Sequence, residues 1–122
     1  TACISINEEI VHGIPGDRIV RSGDLVTLDC GALVDGYNSD YAVTEVVGDS
    51  TSEKDDLIDT TRKSLDVGIK AARYGNRIGD ISNAIEGYVA PRSYELVREY
   101  VGHGIGKRLH EPPQVPNFGP SG

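Results

Sequence analysis

Two aspartates have the residue type and the spacing of a metal site. Asp29 and Asp40 flank the dipeptide Asp35-Gly36, a strong hairpin-turn signal between two runs rich in Val, Leu, Thr and Tyr. A two-residue turn there places Asp40 opposite Gly31, and side chains alternate along a strand with period two. Both carboxylates are then predicted to point to the same sheet face, diagonally across the ladder. A four-residue loop would keep this parity, whereas a three-residue loop would break it.

Two carboxylates that converge on a sheet face repel each other and resist burial. The compensating charge would come from Lys or Arg or from a metal, and neither strand run contains Lys or Arg. A pair of metal ions about 3.5–4 Å apart, held by carboxylates and an imidazole, would remove the repulsion. His103, which lies between two glycines in "GHGIG", is the candidate imidazole because glycines leave a histidine sterically open.

Each of these residues also has an ordinary structural interpretation. Taken alone, each aspartate is more often an exposed strand residue or a turn residue than a ligand, and His103 more often part of a common glycine-rich loop. His12 in "VHGIPG" and His110 before "EPP" are further candidates of the same kind. Cys3 is more often a small packed hydrophobe than the wall of a pocket. The residues alone leave these alternatives open.

Length and composition exclude several classes of protein. The chain has 122 residues, which suits one domain with a modest core, and its formal net charge is −7. It has no basic run, which argues against nucleic acid as the main partner. No apolar stretch approaches the roughly 18 residues of a membrane-spanning helix. Two isolated cysteines, Cys3 and Cys30, fit a reducing compartment, although a disulfide between them stays open.

The pattern of elements predicts an α+β arrangement in which two helices cover an antiparallel sheet. Extended segments are predicted at "CISI", in a second piece that ends at "HGIPG", in the hairpin and at "YELVREYV". A first helix is predicted from Ser52 to a stop near Gly75, and a second from about Asp80 to Val89. The first helix is indicated by residues that recur at helical spacing: Leu57, Thr61, Leu65, Ile69 and Ala72.

Three stretches together resemble bacterial-type (type I) methionine aminopeptidase, a metallopeptidase family with the pita-bread fold. They are "CISINEEIVHGIPG", "GDLVTLDCGALVDGYNSDYAVTEVVG" and "VREYVGHGIGKRLHEPPQVPNFG", in the family's order and with its spacing. The resemblance runs over essentially the whole chain. It implies that residues 1–122 are a single partial catalytic domain with part of the pita-bread fold, truncated at both ends. It also implies a cofactor of two divalent metal ions, which would be Co, Mn, Fe, Zn or Ni.

The resemblance assigns metal ligands by position. It implies that Asp29 binds one metal, that Asp40 bridges both, and that His103 binds the other. The family has five ligands, of which the last two are glutamates far downstream that this sequence does not reach. One of those glutamates is also the family's proton shuttle, so the chain as given is expected to be an inactive segment.

The resemblance also assigns residues that contact substrate. His12 and His110 are expected to act beside the metals and to help stabilise the reacting amide. Cys3 matches a residue that lines the pocket for the methionine side chain. Leu109 stands where the family usually has an aromatic pocket residue, which is a departure from the pattern.

The implied function is removal of the N-terminal methionine from nascent proteins by attack of a metal-activated water on the first peptide bond. The implied partner is a peptide with N-terminal Met, including ribosome-associated nascent chains, and the implied location is the cytoplasm. Neither specific binding of nucleic acid nor association with a membrane is expected. One alternative is a non-catalytic pita-bread relative that acts as a peptide- or protein-binding module. Another is an enzyme of the same fold that cleaves before proline, although "CISINEEIVHGIP" fits the methionine type better.

Overall fold

The computed structural model describes residues 2–122, which form two compact units. The first unit comprises the residues up to Ile58 together with Ile105–Leu109, and the second comprises Asp59–Gly104 and His110–Gly122. No helix among the residues described is long and apolar enough to span a membrane. The elements, in chain order, are β1 Ala2–Ile6, β2 Leu25–Val34, β3 Tyr37–Val46, α1 Ser52–Ala71, α2 Ile78–Val89, a 3-10 turn Ala90–Arg92, β4 Gly102–Gly104 and β5 Glu111–Val115.

The first unit is built on an antiparallel sheet with the strand order β1-β2-β3. Its hairpin has the predicted two-residue turn, because Val34 pairs with Tyr37. Asp35 and Gly36 both have positive φ, 50° and 82°, the backbone that matches the right-handed twist of the flanking strands. The register therefore follows from the turn, and the predicted hairpin is confirmed.

The register decides which side chains of this sheet share a face. Cys3 pairs with Asp29, and Thr27 pairs with Thr44, so these side chains share one face, which is the polar face of the sheet. The two threonine hydroxyls are 2.8 Å apart and hydrogen-bonded. Cys30 pairs with Ala2 and therefore points to the other face, away from Cys3. Both thiols are free, and a disulfide between them is excluded by their opposite orientation.

The prediction of a second extended piece that ends at "HGIPG" is wrong, because no strand forms between β1 and β2. Instead the chain crosses β1 at Gly13, whose carbonyl accepts a hydrogen bond from the Ile4 N–H at 2.9 Å. The Gly13 N–H in turn donates to Ser5 Oγ at 3.1 Å. A Cβ at Gly13 would lie 2.1 Å from the Ile4 oxygen, so the crossing requires glycine. Contact with β1 at this one residue does not make the series of backbone hydrogen bonds that defines a pair of strands.

The first helix forms as predicted, and within the second unit it packs through its small residues. Ser64 and Gly68 are buried, whereas Leu65 and Ile69 are 58% and 61% exposed. A Cβ on Gly68 would lie 2.9 Å from Ile85 Cδ1, so the missing side chain is what lets α2 approach this closely. The packing face of α1 in this unit is therefore not its row of large apolar residues.

The second helix begins at Ile78, two residues earlier than predicted. Its start is stabilised by Asp80, whose carboxylate accepts a hydrogen bond from the Arg77 N–H at 2.7 Å. This is the acidic half of a capping box, which satisfies one backbone donor at the helix start. Ser82, on the buried side of α2, donates from its hydroxyl to the Pro116 carbonyl at 2.6 Å. That bond ties the helix to the chain leaving β5.

The prediction of a strand at "YELVREYV" is wrong, since no ladder forms over residues 94–101. Arg98 makes side-chain contacts instead: an ion pair with Glu86 at 2.6 Å and a stack on the Phe118 ring at 4.5 Å. The strand that does form, β4, starts just beyond this segment and pairs with β5, which contains two prolines. Proline is tolerated there because a two-stranded sheet has only edge strands.

Candidate metal centre

The two candidate carboxylates meet on the polar face of the first sheet. Asp29 pairs with Ala42 and Asp40 pairs with Gly31, as the hairpin parity predicts. Asp29 is half-buried and Asp40 is exposed. The pKa of Asp29 is raised, first by burial and then by the negative charge of Asp40 and by the hydrogen bond that the two carboxyls share. The prediction that these side chains share a face is confirmed.

This pair has the chemistry of a divalent-cation ligand set. Carboxylate oxygens are the donors that hard cations prefer, and a dication would offset the repulsion between Asp29 and Asp40. The donor set therefore fits a metal.

His12 and Cys3 lie beside the carboxylate pair. His12 is exposed and has a φ of 62°, next to the glycine that crosses β1. It is near enough for its charge to lower the pKa of Asp29. Cys3 stands directly opposite Asp29 in the β1–β2 ladder and is half-buried. The first unit thus places Cys3, Asp29 and Asp40 on one sheet face, with the charge of His12 acting on Asp29.

The other two candidate histidines contact each other in the second unit. The ring centroids of His103 and His110 are 4.2 Å apart, with the planes tilted by 45°. His103 Nδ1 lies 2.9 Å from the Gly104 carbonyl oxygen. Because a carbonyl can only accept, Nδ1 carries a proton in this contact. In a neutral imidazole with this hydrogen bond, Nε2 is the nitrogen that would ligate a metal.

The glycines on either side of His103 are required by strand pairing. A Cβ at Gly104 would lie 2.4 Å from the Pro112 oxygen, and one at Gly102 would lie 2.8 Å from the Val115 oxygen. The backbone that comes close to these glycines is β5. They hold His103 on a short, fixed strand, where it is half-buried.

Leu109, the departure from the family's aromatic position, is 38% exposed and ends the loop Ile105–Leu109 of the first unit. This loop is held by a residue that the sequence did not single out. Asn38 donates from its backbone N–H and from its side-chain amide to carbonyls of the loop. An asparagine next to a turn signal looks like part of the turn, so no sequence feature distinguishes it.

The structure brings the candidates together in two groups, which are Cys3, His12, Asp29 and Asp40 in one unit and His103 with His110 in the other. Over residues 2–122, no group of three or more His, Cys, Asp and Glu side chains is arranged to hold a metal ion. The convergence of His103 with the carboxylate pair stays a prediction.

The sequence matches the profile of metallopeptidase family M24 over residues 1–122. It is 51% identical over 118 residues to the methionine aminopeptidase of Borreliella burgdorferi, covering 97% of this chain and 47% of that protein. It is 47% identical over 118 residues to methionine aminopeptidase 1 of Bacillus subtilis, covering 97% of this chain and 48% of that protein. The chain therefore spans about half the length of the curated relatives it matches.

The fold agrees with these matches. The structure superposes on the crystal structure of methionine aminopeptidase from Thermotoga maritima with a TM-score of 0.96 at 42% identity, covering 99% of this chain and 49% of the other. The expected α+β fold, a part of the pita-bread fold, is thereby confirmed. The family is one of hydrolases that use divalent metal ions. The chain belongs to metallopeptidase family M24 and is similar to bacterial methionine aminopeptidases over 97% of its length.

Proposed function

We propose that the natural protein containing this chain is a methionine aminopeptidase and that residues 1–122 are part of its catalytic domain. The observation that carries the proposal is the Asp29–Asp40 pair, two carboxylates that the strand register places on one sheet face. Such a pair is costly without a cation and suited to a dinuclear site. The curated relatives with this sequence pattern are named methionine aminopeptidases.

In this proposal two divalent ions, from among Co, Mn, Fe, Zn and Ni, are held in part by Asp29, Asp40 and the Nε2 atom of His103. When bound, the ions supply the positive charge that polarises a peptide carbonyl and makes a water nucleophilic. Asp29 and Asp40 would hold the ions at the sheet face that they share. The hydrogen bond between His103 Nδ1 and the Gly104 carbonyl would orient the ring so that Nε2 is the nitrogen offered to a metal.

The substrate is a polypeptide with N-terminal methionine and a small second residue, such as a nascent chain on a cytoplasmic ribosome. His12 and His110 have the donor groups to hydrogen-bond the first peptide unit and the negative charge that develops on its oxygen. Cys3 and Leu109 offer the apolar, compact surface that a flexible methionine side chain fills. Cys3 supports this role by its place opposite Asp29.

The test is release of methionine from a Met-Ala-Ser peptide by the natural protein with Co²⁺ or Mn²⁺. We expect turnover in the wild type and a loss of at least about 10²-fold in kcat/KM on Asp40→Asn, because the nucleophile and carbonyl lose their positioning. Asp35→Asn, in the same hairpin, is the matched control and should retain activity. An Ala-Pro-Ser peptide is a second substrate, which the prolyl-cleaving alternative would prefer.

Tight binding of the Met-Ala-Ser peptide without turnover, in the presence of either metal, would overturn the proposal in favour of a peptide-binding module. The observation against this alternative is the intact ligand positions. A protein that only binds peptides has no use for the repulsive pair Asp29–Asp40, which lowers stability without a cation.

A further inference from the structure

Asn38 joins strand β3 to the loop Ile105–Leu109 through three hydrogen bonds. Its backbone N–H donates to the Gly106 carbonyl at 2.8 Å. Its side-chain Nδ2 donates to the same carbonyl and to that of Lys107, both at 3.1 Å. β3 is an edge of its sheet, so at this point the loop takes the place of a neighbouring strand.

The chemistry of these bonds is specific to an amide. A side-chain NH₂ group has two donor hydrogens, which match two carbonyl acceptors, while the Gly106 oxygen uses both of its lone pairs on one residue. An aspartate of the same shape has no donor at neutral pH and would face two carbonyl oxygens with a negative charge. Asn38 is half-buried, so these bonds are partly shielded from water.

The loop has a defined internal shape beyond this anchor. The Gly106 N–H donates to the Arg108 carbonyl at 3.1 Å, which closes a tight turn just before Leu109. Gly106 is half-buried, whereas its neighbours Ile105, Lys107 and Arg108 are exposed. The anchor at Asn38 and this turn both constrain the path of the chain into Leu109.

Asn38 and Asp40 are two residues apart on β3, so they lie on the same face of the sheet. We propose that Asn38 is a positioning residue that sets the place of Leu109, and through it the shape of the pocket for the N-terminal side chain of the substrate. This inference rests on the proposed function, because it gives Leu109 its role in that site. Asn38 itself does not contact the substrate in this proposal.

The first experiment measures the anchor in the 122-residue chain and does not depend on activity. Amide hydrogen exchange is compared for the wild type, Asn38→Ala, Asn38→Asp and the adjacent control Ser39→Ala. Ser39 is exposed and points to the opposite sheet face. We expect the Gly106 amide to exchange at least about tenfold faster in both Asn38 variants, with the β2–β3 ladder still protected and the control unchanged. Unchanged exchange at Gly106 would overturn the inference.

The second experiment measures selectivity in the natural protein as the ratio of kcat/KM for Met-Ala-Ser to that for Leu-Ala-Ser. A displaced Leu109 loosens the pocket, so we expect the ratio to fall about tenfold in both Asn38 variants and to stay constant in Ser39→Ala. A merely structural role would lower both rate constants equally and leave the ratio unchanged. That result, with an active wild type, would overturn this inference alone. An inactive wild type would overturn the proposed function, and the role of Leu109 with it.

Discussion

Asp29 and Asp40 lie diagonally across the β2–β3 ladder on one face of the sheet, and burial, followed by the negative charge of Asp40, raises the pKa of Asp29. In the metal-free protein this pair lowers stability, because two carboxylates on one face repel each other. With a cation between them the same pair is favourable. The Asp29–Asp40 pair therefore lowers the stability of the fold without metal and raises it with metal. One substitution should for this reason have opposite effects on stability and on metal binding.

Asp40→Asn should raise the free energy of unfolding of the metal-free chain, by up to about 1 kcal/mol, because the like-charge pair is removed. In the natural protein it should weaken Mn²⁺ or Co²⁺ binding by at least about tenfold, because an anionic oxygen is lost. Urea unfolding measures the first effect and isothermal titration calorimetry measures the second.

Asp35→Asn is the control for this variant. It removes a carboxylate from the turn of the same hairpin, and asparagine tolerates the positive φ of that position. Asp35→Asn should change neither the free energy of unfolding of the metal-free chain nor the affinity for metal. If Asp40→Asn destabilises the metal-free chain, the pair is held together by contacts other than those described, and its repulsion is not the dominant effect.

The hairpin and its two carboxylates were predictable because the register follows from local chemistry. A two-residue turn that begins at Asp35 leaves one pairing for the flanking strands, and period-two alternation then fixes which side chains share a face. The two helices were predictable for a related reason: helical spacing and capping signals lie within the segment itself. The small-residue packing of α1 was not, because it depends on where Ile85 lies on another helix.

The rest required tertiary structure. The segment "YELVREYV" has the composition of a strand, but composition does not supply the partner that a ladder needs. The glycines beside His103 suggested an open imidazole, whereas their closest neighbour is the backbone of β5. Because β5 contains two prolines, its sequence does not have the pattern of a strand. The role of Asn38 in holding the loop Ile105–Leu109 could not be predicted, because its hydrogen-bond partners, Gly106 and Lys107, lie far along the chain.

Two glycine substitutions in the second unit should have opposite effects. Gly104→Ala should lower the free energy of unfolding by about 1–3 kcal/mol, because the new Cβ would meet the Pro112 carbonyl at 2.4 Å and backbone has to move. Gly87→Ala, in α2, should raise it by about 0.5–1 kcal/mol, because alanine has less entropy to lose in a helix and no atom lies within 4 Å of its Cβ. Urea unfolding of both variants checks the pair. Equal effects would mean that β4 and β5 are not paired in solution.

Glu86 should make the stability of the second unit depend on pH. Its pKa is lowered, first by the hydrogen bond from the Gly119 N–H at 2.8 Å and then by Arg98. A carboxyl with a lowered folded-state pKa stabilises the fold above its unfolded pKa of about 4.3 and loses that contribution as the pH falls through the folded-state value.

The wild type should therefore exceed Glu86→Gln in stability at pH 7, and the difference should shrink below about pH 4. Glu95→Gln, an exposed carboxyl in the same unit, should show no such dependence. Urea unfolding at several pH values measures both differences. A difference that grows on acidification would contradict the assigned direction of the shift.

His110→Ala in the natural protein should separate the roles of the two histidines whose rings are in contact. Its ring lies beside that of His103, but its proposed task is to donate to the developing oxyanion, so kcat should fall by roughly 10²–10³-fold with metal content unchanged. His103→Ala should lose both activity and metal. Steady-state kinetics with metal analysis on the purified variants measures both. Loss of bound metal in His110→Ala would make His110 a ligand.

The 122-residue chain by itself should bind divalent metal weakly and release no methionine. A dinuclear site needs several anionic oxygens to offset two dications, and the ligands proposed here are two carboxylates and one neutral imidazole. With so few ligands each ion keeps most of its water, so a nucleophile has no fixed position and most of the rate enhancement from orientation is lost. Calorimetry with Mn²⁺ or Co²⁺ should give a Kd in the millimolar rather than the micromolar range, and a Met-Ala-Ser peptide should stay intact. Two tightly bound ions per chain would mean that residues outside Asp29, Asp40 and His103 complete the site, and the proposed ligand set would have to be replaced.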